Sequence, residues 1–243
     1  MKKFVVGLVF IKAVFLFSLA LVSCQTAELS KLESQVAASP TATPTNSNES
    51  INRPTSEPYT GDLSIFEDEN RAKNLQIDRV MDILKISDGK SVADIGAGSG
   101  WFTTRAAKRV GEKGKVFAVE INQEYTNYIN ERAKKENLKN IHTVLGEEDD
   151  PKLAPNSVDA ALILKTYHEI AEPVKVMTNL RRALKRNALV GIIDKNGKGD
   201  DHGLDKELVI QEMRRAGFAL ADQYDFVKPD GMDYFLVFRS VIR

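Results

Sequence analysis

Residues 92–101 read VADIGAGSGW: a short apolar run, one acidic residue, then glycines at alternate positions. A buried strand that ends in a glycine-rich turn and opens a helix is the local architecture of a nucleotide-binding α/β unit. The spacing decides among such units. A dinucleotide turn has its third glycine three residues after the second, where it allows close helix–strand packing. In this chain Gly96, Gly98 and Gly100 are the glycines, and Trp101 occupies that packing position. A bulky indole obstructs it. No Gly-Lys-Ser/Thr follows either, so the P-loop pattern fails as well.

The flanking sequence repeats the same strand–helix theme. Upstream, residues 69–86 (ENRAKNLQIDRVMDILKI) set Leu75, Val80, Met81 and Leu84 on one face of a predicted helix. Downstream, SGWFTTRAAKRVG predicts a helix stopping at Gly111, KVFAVEI a strand, and QEYTNYINERAKKENL a helix. IHTVL and VDAALIL follow as strands, and EPVKVMTNLRRALKR as a helix with Pro173 in its first turn, where a missing N–H is harmless. ALVGIID is a fifth strand and LDKELVIQEMRRAGF a further helix; ALADQYDFV and MDYFLVFRSVI close the chain. Strands alternating with helices predict a doubly wound, mostly parallel sheet covered on both faces. The last two strands are joined by a short turn and are expected to form an antiparallel hairpin, with one strand reversed at the sheet edge.

The glycine turn resembles the first motif of the class I S-adenosylmethionine (SAM)-dependent methyltransferases, an acidic residue followed by G-x-G-x-G at the end of the first strand. Asp94, Gly96, Gly98 and Gly100 match it position for position. The resemblance implies a seven-stranded α/β fold, SAM as cofactor, and methyl transfer to an acceptor. Glycines let the backbone approach the methionine part of the ligand, and a carboxylate attracts its ammonium group where it would repel a pyrophosphate. Glu120 ends the second strand roughly twenty residues on, where an acidic residue accepts the ribose hydroxyls; NAD-binding folds share that spacing. The stretch VLGEEDDP resembles the loop that meets the adenine amino group, with Glu147 the first choice and Glu148 the second. Arg186-Asn187-Ala188 stands where many members carry Pro-Gly-Gly.

Methyl transfer gains much of its rate from positioning, so few catalytic side chains are expected. Ligands of open α/β sheets bind beyond the carboxyl ends of the strands. LKTYHEI, at the end of the fourth strand, therefore offers Tyr167 and His168 on the acceptor side. His168 is a candidate base, since imidazole titrates near neutrality; capping the next helix or orienting the substrate is the alternative. Asp194 and His202 are further candidates for the acceptor pocket, and Arg71 for the mouth of the cofactor site. Trp101 and Phe102 either shield the sulfonium or simply pack, and His142 reads as structural. No His/Cys/Asp cluster has metal-ligand spacing, so no metal is expected.

The chain has 243 residues, 34 basic and 34 acidic, with a formal net charge of zero. That balance argues against a surface that neutralises nucleic-acid phosphates, and no Asn-Pro-Pro-Tyr-type motif follows the fourth strand. The acceptor is expected to be a small molecule, with no nucleic acid as partner; oligomeric state is not legible. Residues 1–23 begin with Lys2 and Lys3, continue apolar, and end before Cys24 in the stretch LVSC, which resembles a bacterial lipobox. Cys24 is the sole cysteine. The expected organisation is a signal peptide over 1–23, a Ser/Thr/Pro-rich disordered tether over 24–60, and a methyltransferase domain over 61–243. Lipidation at Cys24 would anchor the chain to the membrane on its extracytoplasmic face. SAM is made in the cytoplasm, so that address is in tension with the motif. A non-catalytic SAM- or nucleoside-binding lipoprotein is the competing reading; an NAD-linked oxidoreductase is opposed by the glycine spacing.

Overall fold

The computed structural model describes residues 55, 56, 59 and 61–241. The expected signal peptide, Cys24 and most of the expected tether lie outside the described residues. Seven strands form one sheet: β1 (Ser91–Ile95), β2 (Lys115–Glu120), β3 (Ile141–Leu145), β4 (Val158–Leu164), β5 (Leu184–Asp194), β6 (Phe218–Tyr224) and β7 (Tyr234–Ser240). Their order is β3-β2-β1-β4-β5-β7-β6. β1 pairs in parallel with β2 on one side and β4 on the other, so it is covered on both edges and both faces. A strand in that position must be apolar throughout, and Val92, Ala93 and Ile95 are buried. Asp94 breaks the rule.

The period-2 alternation of the strands sorts side chains between two cores. Val92, Val116, Leu162 and Phe235 face one way, with the helices Ile77–Ile83 and Trp101–Val110 packed over them. Ala93, Ile163, Ile192 and Leu236 face the other, under the helices Pro173–Ala183 and Lys206–Arg215. The helix Gln123–Lys135 covers Ala118 through Ile129. Side-chain caps fix two of the helix starts. Asn122 Oδ1 accepts from the Glu124 amide at 2.8 Å, and Asp205 Oδ1 accepts from the Glu207 and Leu208 amides at 3.0 and 3.1 Å.

Three details depart from the sequence expectation. Residues 69–86 hold two short helices, Arg71–Asn74 and Ile77–Ile83, separated at Gln76 with φ of 49°. All four of the predicted apolar residues are nonetheless buried, because the break preserves the face. The helix from Pro173 ends at Ala183, and the chain enters β5 at Leu184. Register between β4 and β5 shifts there, and Asn187 takes φ of 66°, the left-handed conformation that glycine would otherwise supply. Finally, the reversed strand is not at the edge. β7 is antiparallel to both β5 and β6 and lies between them, so the edge strand β6 runs with the rest.

Candidate functional site

Chain order reverses direction in the sheet between β1 and β4, and a crevice opens beyond the carboxyl ends of strands at such a point. A cavity of about 680 Å³ lies there, lined by Asp94, Gly96, Gly98, Glu120, His168 and His202 among others. Residues 108 positions apart in sequence meet because β1, β2, β4 and β5 all end on this side.

The glycine half is built by backbone conformation. Gly96 has φ of 68°, and a Cβ on it would lie 2.2 Å from Thr166 Cγ2, the residue that follows β4 closely. Gly98 has φ of 53° and nothing within 4 Å of its missing Cβ, so the turn leaves open space at that point of the cavity. Its amide donates to Glu120 Oε1 at 2.5 Å, while the Ile121 amide donates to Oε2 at 3.2 Å. Glu120 is buried; burial pushes its carboxyl above the usual range, against the pull of those two amide bonds. Asp94 shares a sheet face with Val92, which turns it toward the helix Trp101–Val110, and Thr103 Oγ1 donates to its Oδ2 at 2.6 Å. Burial pushes the Asp94 carboxyl up to about 7, opposed by Thr103 and reinforced by the Glu120 charge.

Glu147 reaches the same cavity from the loop after β3, but its exposed carboxylate is paired with Lys152 at 2.8 Å. Glu148 lines the cavity too. Trp101 is buried among the apolar residues of the helix layer and also lines the cavity; the guanidinium carbons of Arg71 and Arg105 stand over its ring at 4.6 and 3.9 Å. Packing and lining are thus both true of it. Arg71 lines the cavity, ion-paired to Asp230 at 3.7 Å.

The acceptor half centres on His168, in the 3-10 turn Tyr167–Glu169. Its Nδ1 lies 2.9 Å from both carboxylate oxygens of Asp194, which ends β5 and is fully buried. A carboxylate only accepts, so Nδ1 carries the proton in that contact. A neutral ring in that tautomer keeps its lone pair on Nε2, and Nε2 is buried without a hydrogen-bond partner. The backbone amide of His168 donates to Asp194 Oδ2 at 3.2 Å, fixing the turn as well as the ring. Glu169, which the sequence reading passed over, lines the cavity; burial, with the Asp194 and Glu120 charges, pushes its carboxyl up to about 7 against the pull of His168. Tyr167 is a correction. It is fully buried in the core beneath the helix Pro173–Ala183 and is not among the residues lining the cavity, because one step along a 3-10 turn rotates a side chain by roughly a third of a circle.

His202 stands on the loop after β5 at φ of 57°, and its ring meets the His168 ring edge-on at 5.9 Å. His142 is exposed on β3, beside Phe117. Part of the cavity wall comes from the start of the described chain, through Thr55, Ser56, Tyr59, Ile65 and Phe66. Ser56 Oγ donates to Gly199 O at 2.9 Å and accepts from the His202 amide at 3.0 Å. The Tyr59 carbonyl accepts from the Tyr125 hydroxyl, and Glu67 is bound by Arg132 and Ser99. Burial raises the Glu67 carboxyl, but those two bonds outweigh it and hold it below the usual range. No sequence signal separates Ser56 and Tyr59 from the rest of the tether.

Comparisons with known proteins agree with this architecture. A family model described as a methyltransferase domain matches residues 86–220. A SAM dependent methyltransferase from Aquifex aeolicus is 28% identical, with a TM-score of 0.67, over 75% of this chain and 100% of that one. The protein-L-isoaspartate O-methyltransferase of Pyrococcus horikoshii is 26% identical over 95 residues, 39% of this chain and 42% of that protein. This chain spans less than half the length of the curated relatives it matches. The [4+2]-cyclase SpnF shares the fold at 17% identity, with a TM-score of 0.60 over 90% of this chain and 95% of that one.

Proposed function

From the premise that this chain belongs to the methyltransferase-domain family, we propose that it transfers a methyl group from SAM to a small-molecule acceptor. The observation that carries the reading is the open face of Gly98 between Asp94 and Glu120 in one cavity. A Cβ there would fill the cradle; its absence leaves room for an amino acid backbone to lie against the turn. When bound, SAM supplies an electrophilic methyl group on a sulfonium. Asp94 would hold its ammonium, directly or through water, Glu120 its ribose hydroxyls, and Glu147 or Glu148 the adenine edge. For Glu147 this requires release from Lys152. Arg71, stacked over Trp101, would form part of the wall around SAM. His168, oriented by Asp194, offers Nε2 to an acceptor that carries a proton, and Glu169 flanks it.

Calorimetric titration of the protein with SAM is the direct test. Asp94→Ala removes a charge-assisted contact and is expected to weaken binding by about tenfold to a hundredfold. Gly98→Val fills the cradle and is expected to abolish it. Unchanged binding in both variants would sink the site.

The sole cysteine, following a basic start and an apolar run, supports a further part of the reading: a lipid on Cys24 that holds the domain on the extracytoplasmic face of a membrane. Radiolabelled palmitate is then expected to label the chain, with the label lost in Cys24→Ser. An unlabelled natural chain that still fractionates with membranes would count for an uncleaved apolar anchor instead.

A further inference from the structure

We propose that His168, Glu169 and His202 form a binding site for a divalent first-row transition ion in the acceptor half of the cavity. One ligand atom from each side chain lies within 4.8 Å of the other two, and all three residues line the cavity. Sequence spacing hides the group, because His202 follows His168 by 34 residues and arrives on a different loop.

Three observations point to a metal rather than to a chance cluster. First, His168 Nε2 is buried and unpartnered, 3.8 Å from Glu169 Oε1. A buried nitrogen lone pair with no donor to accept from is an unmet requirement. Second, Asp194 binds the opposite nitrogen, Nδ1, at 2.9 Å. A carboxylate on the far side of an imidazole fixes the tautomer that ligates and strengthens its donor character, the usual support behind a metal-bound histidine. Third, two imidazoles and one carboxylate are the donor set of catalytic sites that leave coordination positions open, and they suit zinc or iron(II) better than magnesium or calcium.

The distances require only modest closure. Ligand atoms at about 2.0–2.1 Å from a tetrahedral ion are separated by about 3.3 Å. His202 is exposed and flanked by Gly203, so its ring can close most of the difference by side-chain rotation. The loop itself stays tied through Ser56. An ion there would leave open positions toward the cavity, suited to an acceptor that offers an oxygen or nitrogen donor. Nε2 cannot both bind an ion and take a proton. With the ion in place, an acceptor bound to it loses its proton more readily to water, and His168 serves as ligand. This last step rests on the methyltransferase reading; the ion site does not.

The test is a zinc titration of the full chain in detergent, stripped with chelator and without SAM. Binding of one Zn²⁺ per chain is expected. His202→Ala and Glu169→Gln, both changed at partly or fully exposed positions that folding tolerates, are each expected to weaken it at least about tenfold. His142→Ala and Cys24→Ser should leave it unchanged, and Co²⁺ substituted for zinc should show a nitrogen/oxygen spectrum without thiolate charge transfer. Mg²⁺ should not compete. Absence of zinc binding, or binding that persists in His202→Ala and Glu169→Gln, would overturn the site. SAM calorimetry on the same preparations separates this outcome from failure of the methyltransferase reading.

Discussion

Asp94 is the residue where sequence and environment disagree most. Its place in a strand buried on both faces raises its carboxyl to about 7, so near neutrality the carboxyl is only part ionised. The sign of the consequence follows from linkage. A carboxyl raised in the folded state stays protonated there while the unfolded chain has already released its proton. Stability from this group is therefore complete below the unfolded value of about 4 and is lost as pH rises through about 7. Glu169 adds the same trend. A bound ammonium reverses the preference by favouring the carboxylate. SAM affinity is thus expected to rise severalfold from about pH 6 to about pH 7.5, and Asp94→Asn should flatten the rise in calorimetry. The turn glycines and Asp94 were legible because their spacing is local. The His168–Asp194 pair was not: its members are 26 positions apart and meet only through the register of β4 beside β5. Tyr167 misled because a strand end followed by a 3-10 turn does not keep period-2 alternation.

Among the elements, the irregular first turn of β5, where its register with β4 shifts, shows how a departure from the family pattern is absorbed. Asn187, exposed and at φ of 66°, adopts the left-handed conformation at the place where Gly would cost least. Asn tolerates it because its short amide bonds locally. Replacing Asn187 with Gly is expected to leave stability within a few tenths of a kcal/mol, whereas Asn187→Val should cost about 1–2 kcal/mol in urea unfolding. Equal stability of the two variants would mean that the turn is not strained. Element type was legible nearly throughout, since strand and helix periods differ. Element ends were less so. The predicted helix over 172–186 overran because Leu184, Lys185 and Arg186 continue a helical composition, while pairing of Leu184 with Val158 draws them into the sheet. The reversed strand was placed correctly in sense but not in order, because a hairpin fixes which strands pair and leaves open which of them joins β5.

For the molecule as a whole, alternation of strand and helix was enough to give the sheet, its two covered faces and the crevice at the switch between β1 and β4. What composition concealed is the wall that faces that crevice. Ser56 and Tyr59 come from a stretch that reads as spacer, yet one hydroxyl bridges Gly199 and His202 and one carbonyl receives Tyr125. Where a protein chain is cut for study in solution is therefore a chemical decision. A form begun at residue 61 discards all three hydrogen bonds, each worth about 0.5–1.5 kcal/mol, and leaves the His202 loop without its outer hold. SAM calorimetry is expected to show severalfold weaker binding for that form than for one begun at Ser47, and equal affinities would show the wall to be dispensable. If they differ, residues that read as spacer also enclose the ligand, and the chain cannot be shortened past Ser56 without loosening the wall of its own cavity.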